Sequence, residues 1–156
     1  MKKSLQFLVS VLFIALMSAC GGRNLNDVIP KSTTFEFSAG ISPTVEEGNF
    51  TSSLITTIYV PGKVSTLDVS VPFENDFLQI NLARKTRSAF EEQVHDILLK
   101  GKHYLNVKGN DEVKVHFPKK LLNELKVGEY IVSFSVLDEK NDFKNQDLKI
   151  KVVAKK

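Results

Sequence analysis

The sequence predicts a mostly β chain folded as an antiparallel β-sandwich of about seven strands. Three observations carry that expectation. From residue 33 onward apolar and polar residues alternate with period two, the pattern of strands that bury one face. Pro, Gly, Asn and Asp interrupt these runs at short intervals, as tight turns require. Helical spacing appears at only two places, so repeated strand–helix–strand units are not expected.

The chain begins with a different kind of segment. Lys2 and Lys3 precede an apolar run, Leu5–Met17, broken only by Gln6 and Ser10. Thirteen residues suit the hydrophobic region of a signal peptide. They fall short of the ~20 that a membrane-spanning helix needs. Ser18 and Ala19 then lead to Cys20, the single cysteine. A lone thiol has no partner within the chain, and in an oxidising compartment it is a liability unless it is consumed. Met17-Ser18-Ala19-Cys20 resembles the lipobox of bacterial lipoproteins, with Met17 where Leu is usual. The resemblance implies cleavage after residue 19, a diacylglyceryl group on the Cys20 thiol and acylation of the new amine. Two or more such chains are enough for stable anchoring. Residue 21 is Gly and not Asp, which by similarity to the enteric-type lipoproteins implies the outer membrane.

Residues 20–32 then form the lipidated cysteine and a tether rich in Gly, Asn and Asp, with Pro30. Fully extended, the tether reaches about 40 Å. Residues 33–156 are expected to form the sandwich. The 137 residues left after cleavage make one domain, large enough to bury a core without disulfides. The net charge of +3 includes Lys2 and Lys3, so the mature chain carries +1 and offers no electrostatic case for nucleic acid.

The strands follow in order. Thr33, Phe35 and Phe37 share one face of a short first strand, which Gly40 to Gly48 interrupts. Leu54 to Val60 is apolar on both faces, which predicts a central strand, and Pro61-Gly62 is a turn. Val64 to Val71 places Leu67, Val69 and Val71 inward. Val113, Val115 and Phe117 form another set, and Gly128 to Asp138 is the strongest. Asp138 to Asp142 is a polar turn, and Leu148, Ile150, Val152 and Ala154 alternate in the last strand.

Ser88-Ala-Phe-Glu91 is a capping box. Phe90, Val94, Ile97 and Leu98 follow at helical spacing and Gly101 provides the stop, which predicts a helix near 88–99. Pro118 suits a first helical position, and Leu121, Leu122 and Leu125 continue a short connecting helix near 118–126.

Gly128-x-Tyr130, the alternating residues after it and the terminal Asp138 resemble the penultimate strand of bacterial immunoglobulin-like domains. Tyr130 stands where a tyrosine corner would form. The wider order over residues 50–154 is similar to immunoglobulin-like lipoprotein domains of gut- and mouth-dwelling Gram-negative bacteria. The resemblance implies an immunoglobulin-like sandwich and carries over no catalytic residue.

Chemistry-bearing residues are sparse. His95, His103 and His116 form no His-x-x-x-His pair, and no second cysteine completes a zinc site. Glu92 and His95 are expected on a solvated helix face, and His116 is expected to point away from the core. Asp138, Glu139, Asn141 and Asp142 cluster in one turn, but position six from Asp138 is Phe143 and position twelve is Lys149, unlike a calcium loop. Glu46-Glu47 is expected to be a solvated loop pair rather than a hydrolytic one. There is no Gly-x-Ser-x-Gly and no P-loop spacing. Asn49-Phe50-Thr51 matches a glycosylation triplet by chance.

These observations point to a lipid-anchored envelope lipoprotein that is not an enzyme, needs no cofactor or metal, and serves as a binding or assembly module for a protein or glycan partner. The alternative is a glycan-binding surface lipoprotein, with Tyr59, Tyr104 and Phe50 as the aromatics available to stack on a sugar. Cys20 is the one residue with an assigned role, lipid attachment.

Overall fold

The computed structural model describes residues 32–73, 76–85 and 88–155. The expected signal peptide, Cys20 and the tether up to Lys31 lie outside the described residues. The strands are β1 (Thr34–Phe37), β2 (Thr44–Glu46), β3 (Leu54–Tyr59), β4 (Val64–Phe73), β5 (Asp76–Asn81), β6 (Glu112–Phe117), β7 (Gly128–Asp138) and β8 (Phe143–Val153). They form two sheets, ordered β1-β3-β6 and β2-β8-β7-β4-β5.

Eight strands are described, close to the expected seven or so, and one expectation is corrected: the sandwich is not wholly antiparallel, because β2 runs parallel to β8. Three residues are too few to show a period, so Thr44–Glu46 was hidden inside the stretch expected to be a break. β5 was missed for a different reason. Leu78 and Ile80 turn inward, but Phe77 on the outer side is 62% exposed and blurs the alternation.

The arrangement is that of an immunoglobulin-like sandwich. Strands β1, β3 and β6 take the places of A, B and E, and β4, β7 and β8 those of C, F and G. The Tyr130 hydroxyl donates to the Lys126 carbonyl at 2.9 Å, closing a tyrosine corner at the start of β7. β3 is central in its sheet, as its apolar character predicts.

The two inner faces meet around Phe134, which is fully buried. Its ring centroid lies 6.0 Å from Phe37, 6.2 Å from Phe117 and 6.4 Å from Phe35. Two strands of the smaller sheet, β1 and β6, thus share one aromatic cluster with β7 of the larger, at distances where tilted rings attract beyond their area burial. Ile58, Leu67, Val69, Val115 and Val136 complete the centre.

Helix α1 (Ala89–Leu99) joins β5 to β6, where a fourth strand of the smaller sheet would stand. Ser88 caps it: its hydroxyl accepts from the Glu91 N–H at 3.3 Å, and Glu91 Oε2 accepts from the Ser88 N–H at 2.8 Å. Lys100 ends it in the left-handed region at φ 55°. The connecting helix is shorter than the expected 118–126. One turn, α2 (Lys119–Leu122), follows Pro118, which caps it rather than occupying its first position. Leu125 packs against the core from the turn beyond, so the apolar spacing there reports burial and not a continuing helix.

Candidate functional site

The chain enters the sandwich at one defined end. Thr34 pairs with Tyr59, so Thr33 sits beside the β3–β4 turn at Pro61-Gly62. The β7–β8 turn lies at the same end, where the Glu139 N–H donates to the Lys63 carbonyl at 2.9 Å. Asp138 ties these two turns together. It is buried, and its Oδ1 accepts from the N–H groups of Lys140 at 2.8 Å and Asp142 at 2.7 Å. A Cβ on Gly62 would overlap the Asp138 carboxylate, so only glycine fits beneath it. The acidic cluster at 138–142 therefore uses its buried carboxylate to hold its own turn. Among the described residues no group of three His, Cys, Asp or Glu side chains is placed to hold a metal ion.

The three histidines stand apart. His95 corrects the expectation of a solvated face: it is 1% exposed, and its Nε2 lies 3.2 Å from the Leu82 carbonyl. The buried stripe of α1 is His95, Leu98 and Leu99, while Phe90 and Ile97 remain 46% and 37% exposed. The apolar spacing marks a helix with two apolar surfaces, and the polar ring of His95 is buried because a backbone carbonyl meets it. His103 caps a 3-10 turn (Tyr104–Asn106), where its Nδ1 accepts from the Leu105 N–H at 3.3 Å, and its ring lies 4.2 Å from that of Tyr104. His116 does face outward from β6, yet it is only half exposed and its Nδ1 is enclosed. Desolvation, and next the Lys100 charge, push its pKa below the ordinary histidine value.

Other candidates separate as well. Glu46 lies in β2 rather than in a loop, and both glutamates are half-buried. Glu47 makes a surface ion pair with Lys126 at 3.4 Å, between the end of β2 and the β7 entry. On the outer face of the larger sheet, burial pushes the Asp68 carboxyl above its ordinary value, against a hydrogen bond from Asn81 that lowers it. Of the three aromatics expected for sugar stacking, Tyr59 and Tyr104 are partly exposed, but Phe50 is 4% exposed and belongs to the core. Its N–H donates to the Asn123 Oδ1 at 2.7 Å, at the end of the sandwich far from Tyr59. The three do not form one platform.

The concave feature that the structure does build is an apolar cleft of about 420 Å³ at that far end. Val71, Val132 and Ile150 of the larger sheet form its floor. Phe90, Val94 and Ile97 of α1 form one wall, and Leu121 and Leu125 the other. Among the described residues that line it, Glu124 is the only charged one. Sequence reasoning missed this cleft. The visible signal was the pair of helical apolar runs, which read as packing against the sandwich alone.

No family model and no curated protein matches the chain. A solved structure of murine CRIg aligns with it over 80% of this chain and 98% of its own, at 11% identity and a TM-score of 0.33. So loose a likeness carries no argument, and the fold assignment rests on the strand order given above.

Proposed function

We propose that the protein is a lipid-anchored envelope lipoprotein whose immunoglobulin-like domain serves as a non-catalytic binding or assembly module. The observation that carries this is Met17-Ser18-Ala19-Cys20, a lipobox-like run placed after a short apolar segment and containing the chain's single cysteine. Acylation gives that thiol a use, and two or three acyl chains supply durable membrane attachment. The outer membrane is the expected destination, from Gly21.

The geometry of the domain supports the same reading. Thr33 is buried at the end that carries the β3–β4 and β7–β8 turns, so an N-terminal tether leaves from there. The opposite end, with α2 and the apolar cleft, is then directed away from the anchor and available to a partner. A module of this kind acts by holding a binding surface at a set distance from the membrane.

The test is lipidation itself. Expressed in a Gram-negative host with radiolabelled palmitate, the full chain is expected to incorporate label and to sediment with membranes. Cys20→Ser is expected to lose both. Equal labelling of the variant would sink the proposal.

A further inference from the structure

We propose that the cleft between α1, α2 and the larger sheet binds the alkyl chain of a small single-chain amphiphile that carries a cationic head. This goes beyond the anchoring reading and does not depend on it, because the cleft belongs to residues 71–150 alone.

Size and depth suit such a ligand. At about 420 Å³ the cleft falls within the ~300–1,000 Å³ typical of small-molecule sites. It reaches the core: Val132 is 4% exposed and Ile150 2%. A stable protein partner would instead cover about 800 Å² on this side. An apolar cleft that ends on buried residues suits a flexible chain. Allowing each CH₂ about the 30 Å³ that one water takes up in the liquid, the space holds at most about fourteen carbons.

At the mouth, Phe90, Ile97 and Leu121 are exposed at 46%, 37% and 43%. Side chains this apolar gain by covering a ligand. The charge on the lining selects the head. Glu124 is the single charged group on the lining, and no cation lines the cleft among the described residues. A carboxylate beside an apolar slot favours a cationic head over an anionic one.

The experiment uses the full-length chain in amphipol, without detergent, and a diazirine-bearing dodecylamine as probe. Irradiation followed by peptide mapping is expected to place saturable label on α1 and on residues 121–132. Unlabelled alkylamines are expected to compete about fourfold better for each added CH₂. The gain should stop near twelve to fourteen carbons, where the slot is full, whereas simple partitioning into an apolar phase continues to rise. Dodecylamine is expected to outcompete dodecanoate, and Glu124→Gln should reduce that preference by about three- to fivefold. Ile97→Arg places a charge at the exposed mouth and is expected to abolish saturable label while the thermal unfolding midpoint stays near the parent value. Should Ile97→Arg lower that midpoint, Leu121→Arg provides the same test from the other wall.

Non-saturable label, label spread over the outer sheet faces, a chain-length gain without a plateau, or a head-group preference unchanged by Glu124→Gln would each overturn the proposal. Protection of the cleft by a co-purifying protein would overturn it too, in favour of a macromolecular partner. Because Cys20→Ser leaves the cleft intact, probe binding in that variant separates failure of this proposal from failure of the anchoring one.

Discussion

Gly62 and Asp138 offer a sharp test of how the end of the sandwich beside Thr33 is held. The backbone at Gly62 lies outside the left-handed region, so alanine is conformationally allowed there. The cost of Gly62→Ala therefore comes from the collision of its Cβ with the Asp138 carboxylate. That carboxylate accepts two backbone hydrogen bonds, from Lys140 and Asp142. Hydrogen bonds to a charged group contribute roughly 1.5–3 kcal/mol each. Displacing the carboxylate loses most of this, and removing it by Asp138→Ala loses the same. Each single variant is thus expected to cost about 3 kcal/mol. The double variant should cost about 3–4 kcal/mol rather than the additive ~6, since the second change removes what the first had already disturbed. A small remainder is expected, because the Cβ added at position 62 would still stand 3.0 Å from the Cβ at position 138. Urea unfolding of all four proteins, followed by circular dichroism, gives the coupling energy. Additive costs would refute the reasoning, and so would a Gly62→Ala variant as stable as the parent.

Further outcomes follow from individual groups. Ser88→Ala removes the hydroxyl that accepts from the Glu91 N–H, while the backbone N–H of residue 88 still donates to Glu91 Oε2; the loss should destabilise the domain by about 1 kcal/mol, measured by the same unfolding series. His116 has a lowered pKa in the folded chain, so its full contribution is present above the unfolded value near 6.5. As pH falls below that value the unfolded chain takes up the proton first, and stability is lost until the folded group titrates too. Between about pH 7.5 and 5 the parent should therefore lose more stability than His116→Gln; parallel pH profiles would refute this.

Much of the architecture was legible because period-two alternation reports burial directly. β4, β6 and β7 show it along most of their length, and Tyr130 announced the corner that it forms. Where the signal failed, the cause is local. β2 is held by backbone pairing to β8, which leaves no side-chain pattern in three residues. His95 reads as polar, yet one backbone carbonyl at the right place lets its ring be buried. The apolar residues of α1 look the same whether they face the core or an open slot, and only the third dimension divides Leu98 from Ile97. The cleft was invisible for that reason: its floor and walls come from segments scattered along the chain from Val71 to Ile150.

The entry of the chain at Thr33 has a mechanical consequence. β1 runs from the end at Thr33 toward the far end, antiparallel to β3. If the N-terminus is pulled along the long axis while the far end is held, the β1–β3 ladder is loaded in shear. Its hydrogen bonds must then slide together instead of opening one after another. The parallel β2–β8 pair next along the chain is loaded in the same sense. A domain threaded this way resists extraction by force far better than one whose first strand would peel from its free edge.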